Sequence, residues 1–309
     1  MPEQIPTVDL RDFTSGDPEL RARFVQVLGA GLERFGFVNV RGHGIDPALL
    51  ERAYGVARET FALPEAEKKR YETPHDGRQR GYTAFGVEHA KDNPNPDLKE
   101  FWHIGRDLGA DHPLHTSGDI PPNQSPSDVP TFGPTFQALF DAQEDFAMRL
   151  LDAVALYLGL APDLFRRMTH HGNSVLRVIH YPDLGTAPVP GSIRAAQHED
   201  INLMTVLPAS TRPGLELMTR DGRWMAVESP PDVMVCDTGD MMQLLTAGRL
   251  PATTHRVVNP EGADGGRLSM PFFLHPHPDW VLTPTDPAYG EPIEARDYLH
   301  RRLRAIGVA

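Results

Sequence analysis

The chain has 309 residues, 40% of them hydrophobic and 23% charged, which is enough to bury a sizeable core and excludes a fibre, a disordered tail or a disulfide miniprotein. Lys and Arg number 30 against 42 Asp and Glu, and the net charge of −12 argues against a general grip on nucleic-acid phosphates, leaving small molecules as the expected partners. No window approaches the ~18 uninterrupted apolar residues of a membrane helix, the start MPEQIPTVDL lacks a signal-peptide pattern, and the lone Cys236 has no intrachain partner, so a cytoplasmic protein that does not engage a membrane is expected.

Ile5 to Leu10 predicts a short strand, and the three-and-four spacing of Leu20, Phe24, Val27, Leu28 and Leu32 predicts an amphipathic helix from Pro18 to Phe35, ended by Gly36. Phe37 to Val40 reads as a strand and Pro47 to Phe61 as a second helix with proline in its first turn. Residues 71 to 130 read as loop, because stretches such as PPNQSPSDVP continue neither regular element. From Pro134 to Leu158 the stripe Phe136, Leu139, Phe140, Phe146, Leu150, Val154 and Leu158 predicts a long helix serving as a spine against a sheet.

After Gly172 the pattern turns to short β-like runs: Val175–Tyr181, Ala195–Asp200, Leu203–Leu207, Leu215–Met218, Trp224–Val227, Asp232–Cys236, Arg256–Val258 and Leu268–Leu274. Many short strands without intervening helices predict a sandwich or jelly roll rather than a parallel α/β sheet. The 30 prolines, about twice the usual share, agree with a fold rich in turns.

Within that half lies Gln197-His198-Glu199-Asp200. In an extended strand, side chains at 198 and 200 project to the same face, bringing one imidazole and one carboxylate together. His255 follows 55 positions after Asp200 and precedes another β-like run, where a neighbouring strand brings it alongside. Two imidazoles and one carboxylate on one face of iron(II) leave three of six octahedral positions open. Spacing alone leaves a polar surface strand as the plainer alternative. His170-His171, His112 with His115, His275 with His277, and His103 compete as clusters, and each reads more simply as structural or exposed.

Context sharpens the choice. In chain order come Tyr181-Pro182, the segment Gln197 to Leu207, Gly214-Leu215-Glu216-Leu217, Gly239-Asp240, Gly248 to Val257, and Arg267-Leu268-Ser269 before Met270-Pro271-Phe272-Phe273. The N-terminal half adds Ile5-Pro6-Thr7-Val8-Asp9, Phe35-Gly36-Phe37, Gly42-His43-Gly44-Ile45, Arg80-Gly81-Tyr82 and Lys99-Glu100-Phe101. This series closely resembles the isopenicillin N synthase-like branch of the iron(II)- and 2-oxoglutarate-dependent oxygenases, over roughly residues 5 to 280. One departure is Ile179, where many plant members carry Asn.

The resemblance implies a mixed α+β fold dominated by β, with a double-stranded β-helix (jelly-roll) core, flanking N-terminal helices and a long supporting helix. It implies His198, Asp200 and His255 as iron ligands, and Arg267, Ser269 and Tyr181 as the grip on 2-oxoglutarate. The plain alternatives are a surface arginine ending the Gly262 to Gly266 loop and a packed aromatic at Tyr181. With oxygen as the third reactant, the implied reaction oxidises a C–H bond of a small organic substrate and releases succinate and carbon dioxide. Two other readings stand beside it: an iron oxidase that does not use 2-oxoglutarate, like isopenicillin N synthase or aminocyclopropane carboxylate oxidase, and a non-catalytic metal-binding jelly roll. Tyr82, Phe85, Phe101 and His103 are candidates for the substrate pocket. Residues 1–130 are expected to pack on a core formed by 131–309, in one cooperative unit.

Overall fold

The computed structural model describes residues 4–89, 95–184, 191–259 and 265–305. Most of the predicted Gly262 to Gly266 loop therefore lies outside the described residues. Two of the expected helices form where the pattern put them. Pro18–Phe35 starts at Asp17, whose carboxylate accepts from the amides of Glu19 and Leu20, and ends at Gly36 with φ +66°, a left-handed conformation that favours glycine. Pro47–Phe61 is capped in the same way by Asp46. Both pack on Phe132–Leu158, a helix of 27 residues and about 40 Å. Its Phe136, Phe140 and Phe146 are fully buried, each contributing about 1.5–3 kcal/mol.

That helix lies against a nine-stranded sheet in the order Thr7–Asp9, Phe37–Arg41, Met234–Thr238, Met204–Pro208, Phe272–Leu274, Val175–Tyr181, Glu100–Gly105 and Gly81–Thr83, with Arg267–Ser269 pairing off the path with Val175–Tyr181. The first pair is parallel and the other pairs are antiparallel. A second sheet of four strands runs Ala195–His198, His255–Val257, Leu215–Met218, Trp224–Ala226. Between the sheets Phe37, Phe101, Ile179 and Tyr181 meet Ala195, Leu217 and Val257 in an inner core, the filling of a jelly roll.

The structure differs from the expected elements in several places. The run Leu268–Leu274 is broken into Arg267–Ser269 and Phe272–Leu274, because Pro271 has no amide for the ladder. The Gln143 side chain donates to the Met270 carbonyl at 3.1 Å, satisfying an acceptor at that break. Two strands, Gly81–Thr83 and Glu100–Gly105, occupy the segment expected to be loop, and a C-terminal helix, Ala295–Ala305, was not anticipated. Among the described residues, no helix is long and apolar enough to cross a membrane.

Candidate active site

His198 ends the strand Ala195–His198 and stands directly opposite His255, the first residue of the adjacent strand. Their rings lie 4.4 Å apart, centroid to centroid. In each, Nδ1 faces the backbone carbonyl two residues earlier: His198 to Ala196 at 2.7 Å and His255 to Thr253 at 3.0 Å. A carbonyl can only accept, so Nδ1 carries the hydrogen and Nε2 keeps its lone pair free.

Asp200 departs from the expected strand placement, because the strand ends at His198. The next strand orients the carboxylate, the Thr205 hydroxyl donating to Oδ2, and the helix Asp240–Leu245 holds the backbone, the Asp240 amide donating to the Asp200 carbonyl at 2.7 Å. Oδ1 is left 3.9 Å from His198 Nε2 and 3.7 Å from His255 Nε2, too far for hydrogen bonds. Among the described residues this is the only trio of His, Cys, Asp or Glu side chains that brings three ligand atoms within 4.8 Å. Two neutral imidazole nitrogens and one carboxylate oxygen, each lone pair uncommitted, are a donor set that fits iron(II).

The electrostatics agree. Burial and the neighbouring His255 lower the His198 pKa, which keeps the ring neutral. Burial alone would raise Asp200, but His255, His198 and the Thr205 hydroxyl hold it below the usual carboxylate range. Burial and the neighbouring charge of Asp200 push the Asp237 carboxyl well above the usual carboxylate range.

Arg267 faces Tyr181 across paired strands and is only 3% exposed, its guanidinium 5.0 Å from the Tyr181 ring centroid. Nε donates to the Arg212 carbonyl at 3.0 Å and Nη2 to Ser210 Oγ at 2.7 Å, while buried Nη1 has no hydrogen-bond partner among the described residues. Ser210 Oγ in turn lies 3.1 Å from Ser269 Oγ. A buried guanidinium with an unspent N–H group fits a carboxylate, to which charge-assisted bonds are strongest away from water. The alternative reading of Arg267 as a surface arginine does not hold, since the residue is buried.

A cavity of about 710 Å³ opens beside His198 and Asp200. Phe101 and His103 line it; Tyr82 and Phe85 do not. Tyr82 is 1% exposed, its hydroxyl turned into the core to donate to Glu100, and Phe85 lies 40% exposed on the surface. The histidine pairs His170–His171 and His112 with His115 are also absent from the lining, whereas His275, expected to be structural, is buried in the wall.

Several lining residues were not among the site residues expected from the sequence. Arg177 stacks on Phe101 at 4.4 Å, donates from Nε to His103 Nε2 at 2.6 Å and pairs through Nη1 with Glu88 at 3.1 Å. Lys99 sits between Glu88 at 2.7 Å and Asp97 at 2.8 Å. Arg177 joins residues 74 and 89 positions away, whereas the partners of Lys99 are near it in the chain. Leu299, Arg302 and Leu303 of the C-terminal helix complete the wall, and their spacing from Ala295 at positions 299 and 303 is a four-residue signal that could have revealed the helix.

Known proteins resemble this chain along most of its length. Residues 5–128 match the family model described as non-haem dioxygenase in morphine synthesis N-terminal, and residues 172–276 match that of the 2OG-Fe(II) oxygenase superfamily. The chain is 30% identical over 287 residues to the 2-oxoglutarate-Fe(II) type oxidoreductase hxnY of Emericella nidulans, covering 91% of this chain and 82% of that protein. It superposes on a 2OG-Fe(II) oxygenase family protein of Caulobacter crescentus with a TM-score of 0.87 and 37% identity, covering 97% of this chain and 98% of the other. Neurospora crassa T7H in complex with alpha-KG and thymine gives a TM-score of 0.85 at 26% identity, covering 97% and 96%.

Proposed function

The chain belongs to the 2OG-Fe(II) oxygenase superfamily and is an iron(II)- and 2-oxoglutarate-dependent dioxygenase; from that premise we propose that His198, Asp200 and His255 hold the iron and that Arg267, with Ser269 and Tyr181, holds the cosubstrate. The observation that carries the assignment is the convergence of three uncommitted ligand atoms within 4.8 Å. Iron(II) with 2-oxoglutarate and oxygen supplies the oxidation of a C–H bond, with succinate and carbon dioxide as co-products.

The protein's own share is placement and exclusion of water. The Ala196 and Thr253 carbonyls fix the tautomers of the two histidines, and the Thr205 hydroxyl orients Asp200 so that Oδ1 faces them. Arg267 binds the distal carboxylate through Nη1, its other two nitrogens being anchored to the Arg212 carbonyl and Ser210. The Tyr181 ring supports the guanidinium from one side. The substrate is a small organic molecule taken into the cavity against Phe101, His103 and Arg177. Thymine in the T7H complex supports a substrate of that scale.

The order of motifs from Ile5 to Phe273 supports membership of the isopenicillin N synthase-like branch. Residues 1–130 and 131–309 form one cooperative unit in this reading, supported by strands from both in one sheet and by Lys99, Phe101 and His103 in the cavity wall. A cytoplasmic setting is proposed on the single buried thiol of Cys236. The test is iron stoichiometry after anaerobic reconstitution, with succinate release measured across a panel of small organic compounds. Wild type should bind one iron, and a true substrate should accelerate succinate release. Full iron content in Ala variants of all three ligands would overturn the assignment.

A further inference from the structure

Among the described residues Ala195–His198 is an edge strand: it pairs only with His255–Val257, and that pairing is irregular between Val257 and His255. The Ala196 amide therefore takes its hydrogen bond from outside the ladder. Asp97, 3% exposed and belonging to the N-terminal half, accepts it through Oδ1 at 3.0 Å. The Ala196 carbonyl is used outside the ladder too, since it receives the Nδ1–H of His198 at 2.7 Å.

We propose that Asp97 is a positioning residue for His198, acting through the two peptide groups that flank Ala196. The inference rests on the reading of His198 as an iron ligand. One side chain fixes the amide entering Ala196, and the carbonyl leaving it fixes the tautomer and tilt of the imidazole. A shift of the peptide would swing Nε2 away from the point it shares with Asp200 and His255.

The other oxygen of Asp97 explains why the carboxylate stays in place. Oδ2 accepts from Lys99 Nζ at 2.8 Å, and Lys99 is shared with Glu88 at 2.7 Å, which in turn pairs with Arg177. Lys99 is 5% exposed, so its charge cannot be left without anions, and the two carboxylates hold each other's partner in register. Asp97 thus has one oxygen held by a buried ion network and the other placed on the ligand strand. Groups outside the first coordination sphere that orient a ligating histidine typically alter metal affinity by about 10–100-fold.

Two substitutions separate geometry from charge. Glu88→Gln keeps an oxygen for both Lys99 Nζ and Arg177 Nη1 but removes one charge of the network, and it leaves Asp97 on the Ala196 amide. Asp97→Glu keeps the charge but moves the oxygens by one methylene. The probe is Co(II), titrated into metal-free protein and followed by its visible absorption, with thermal unfolding recorded in parallel. Glu88→Gln should bind within about threefold of wild type, and Asp97→Glu should bind about tenfold or more weakly with an altered visible spectrum. Wild-type affinity and spectrum in Asp97→Glu, or equal losses in both variants, would overturn the proposal. His198→Ala distinguishes the two levels of the argument: if it binds Co(II) like wild type, the ligand reading fails, and if it alone loses affinity, only the role of Asp97 fails.

Discussion

Replacing Arg267 with alanine should weaken 2-oxoglutarate binding steeply. Two of its three nitrogens are engaged by the protein, with Arg212 and Ser210, so the contact to a ligand carboxylate rests on Nη1 and any remaining hydrogen on Nη2. One charge-assisted bond at a buried site contributes about 1.5–3 kcal/mol, which is about 10- to 150-fold in affinity, and a second would multiply that loss. Arg267→Lys should recover only part, because an ammonium lacks the planar fork and cannot keep both protein anchors while reaching the ligand. The assay is calorimetric titration of 2-oxoglutarate into anaerobic, iron-loaded protein, with iron content checked in each variant. An unchanged dissociation constant in Arg267→Ala at full iron loading would refute the argument and move Arg267 to a different ligand.

Alanine at His198, Asp200 or His255 should each abolish iron-dependent turnover while leaving the far-ultraviolet circular dichroism of the folded chain intact; retained iron in any one of them removes that residue from the ligand set. Burial lowers His275 from 6.5 to about 4, so the unfolded chain binds more protons between those values and stability falls as pH drops through that window. The loss should reach up to about 3 kcal/mol by pH 4, and urea unfolding of His275→Gln between pH 4 and 7 should show a correspondingly flatter slope. Deleting the chain from residue 295 onward removes the helix carrying Leu299, Arg302 and Leu303 and opens the cavity. It should leave 2-oxoglutarate affinity within about threefold of wild type while raising succinate release in the absence of substrate, as water gains entry; unchanged background turnover would argue against the helix as a wall.

What the sequence made legible depends on how local the signal is. The helix Pro18–Phe35 carries its own apolar spacing, a capping aspartate and a terminal glycine, all within one stretch. Glu100–Gly105 carries none of this: all six residues are buried, so alternation is absent, and proline-rich segments surround it. The C-terminal helix buries only Ala295, Leu299 and Leu303 and is otherwise largely polar, a stripe too thin to stand out. In the candidate site, the order of motifs pointed to His198, Asp200 and His255, but a period-two argument put Asp200 on a strand that stops two residues earlier. The network of Glu88, Asp97, Lys99 and Arg177 was not legible because it closes only when Arg177 meets Glu88 across 89 residues, a pairing that no local pattern marks.

The sheet that spans both matched family segments bears on how the chain can be divided. Cutting out residues 172–276 would strip Met234–Thr238 of its neighbour Phe37–Arg41 and Val175–Tyr181 of its neighbour Glu100–Gly105. Each cut leaves a row of unpaired amides and carbonyls on a strand rich in β-branched and apolar residues, and such raw edges recruit further strands from other copies. The helix Phe132–Leu158 that covers the sheet would be lost at the same time, baring Leu176, Val206 and Phe272. The segment that contains all three candidate ligands would therefore precipitate rather than bind metal in isolation.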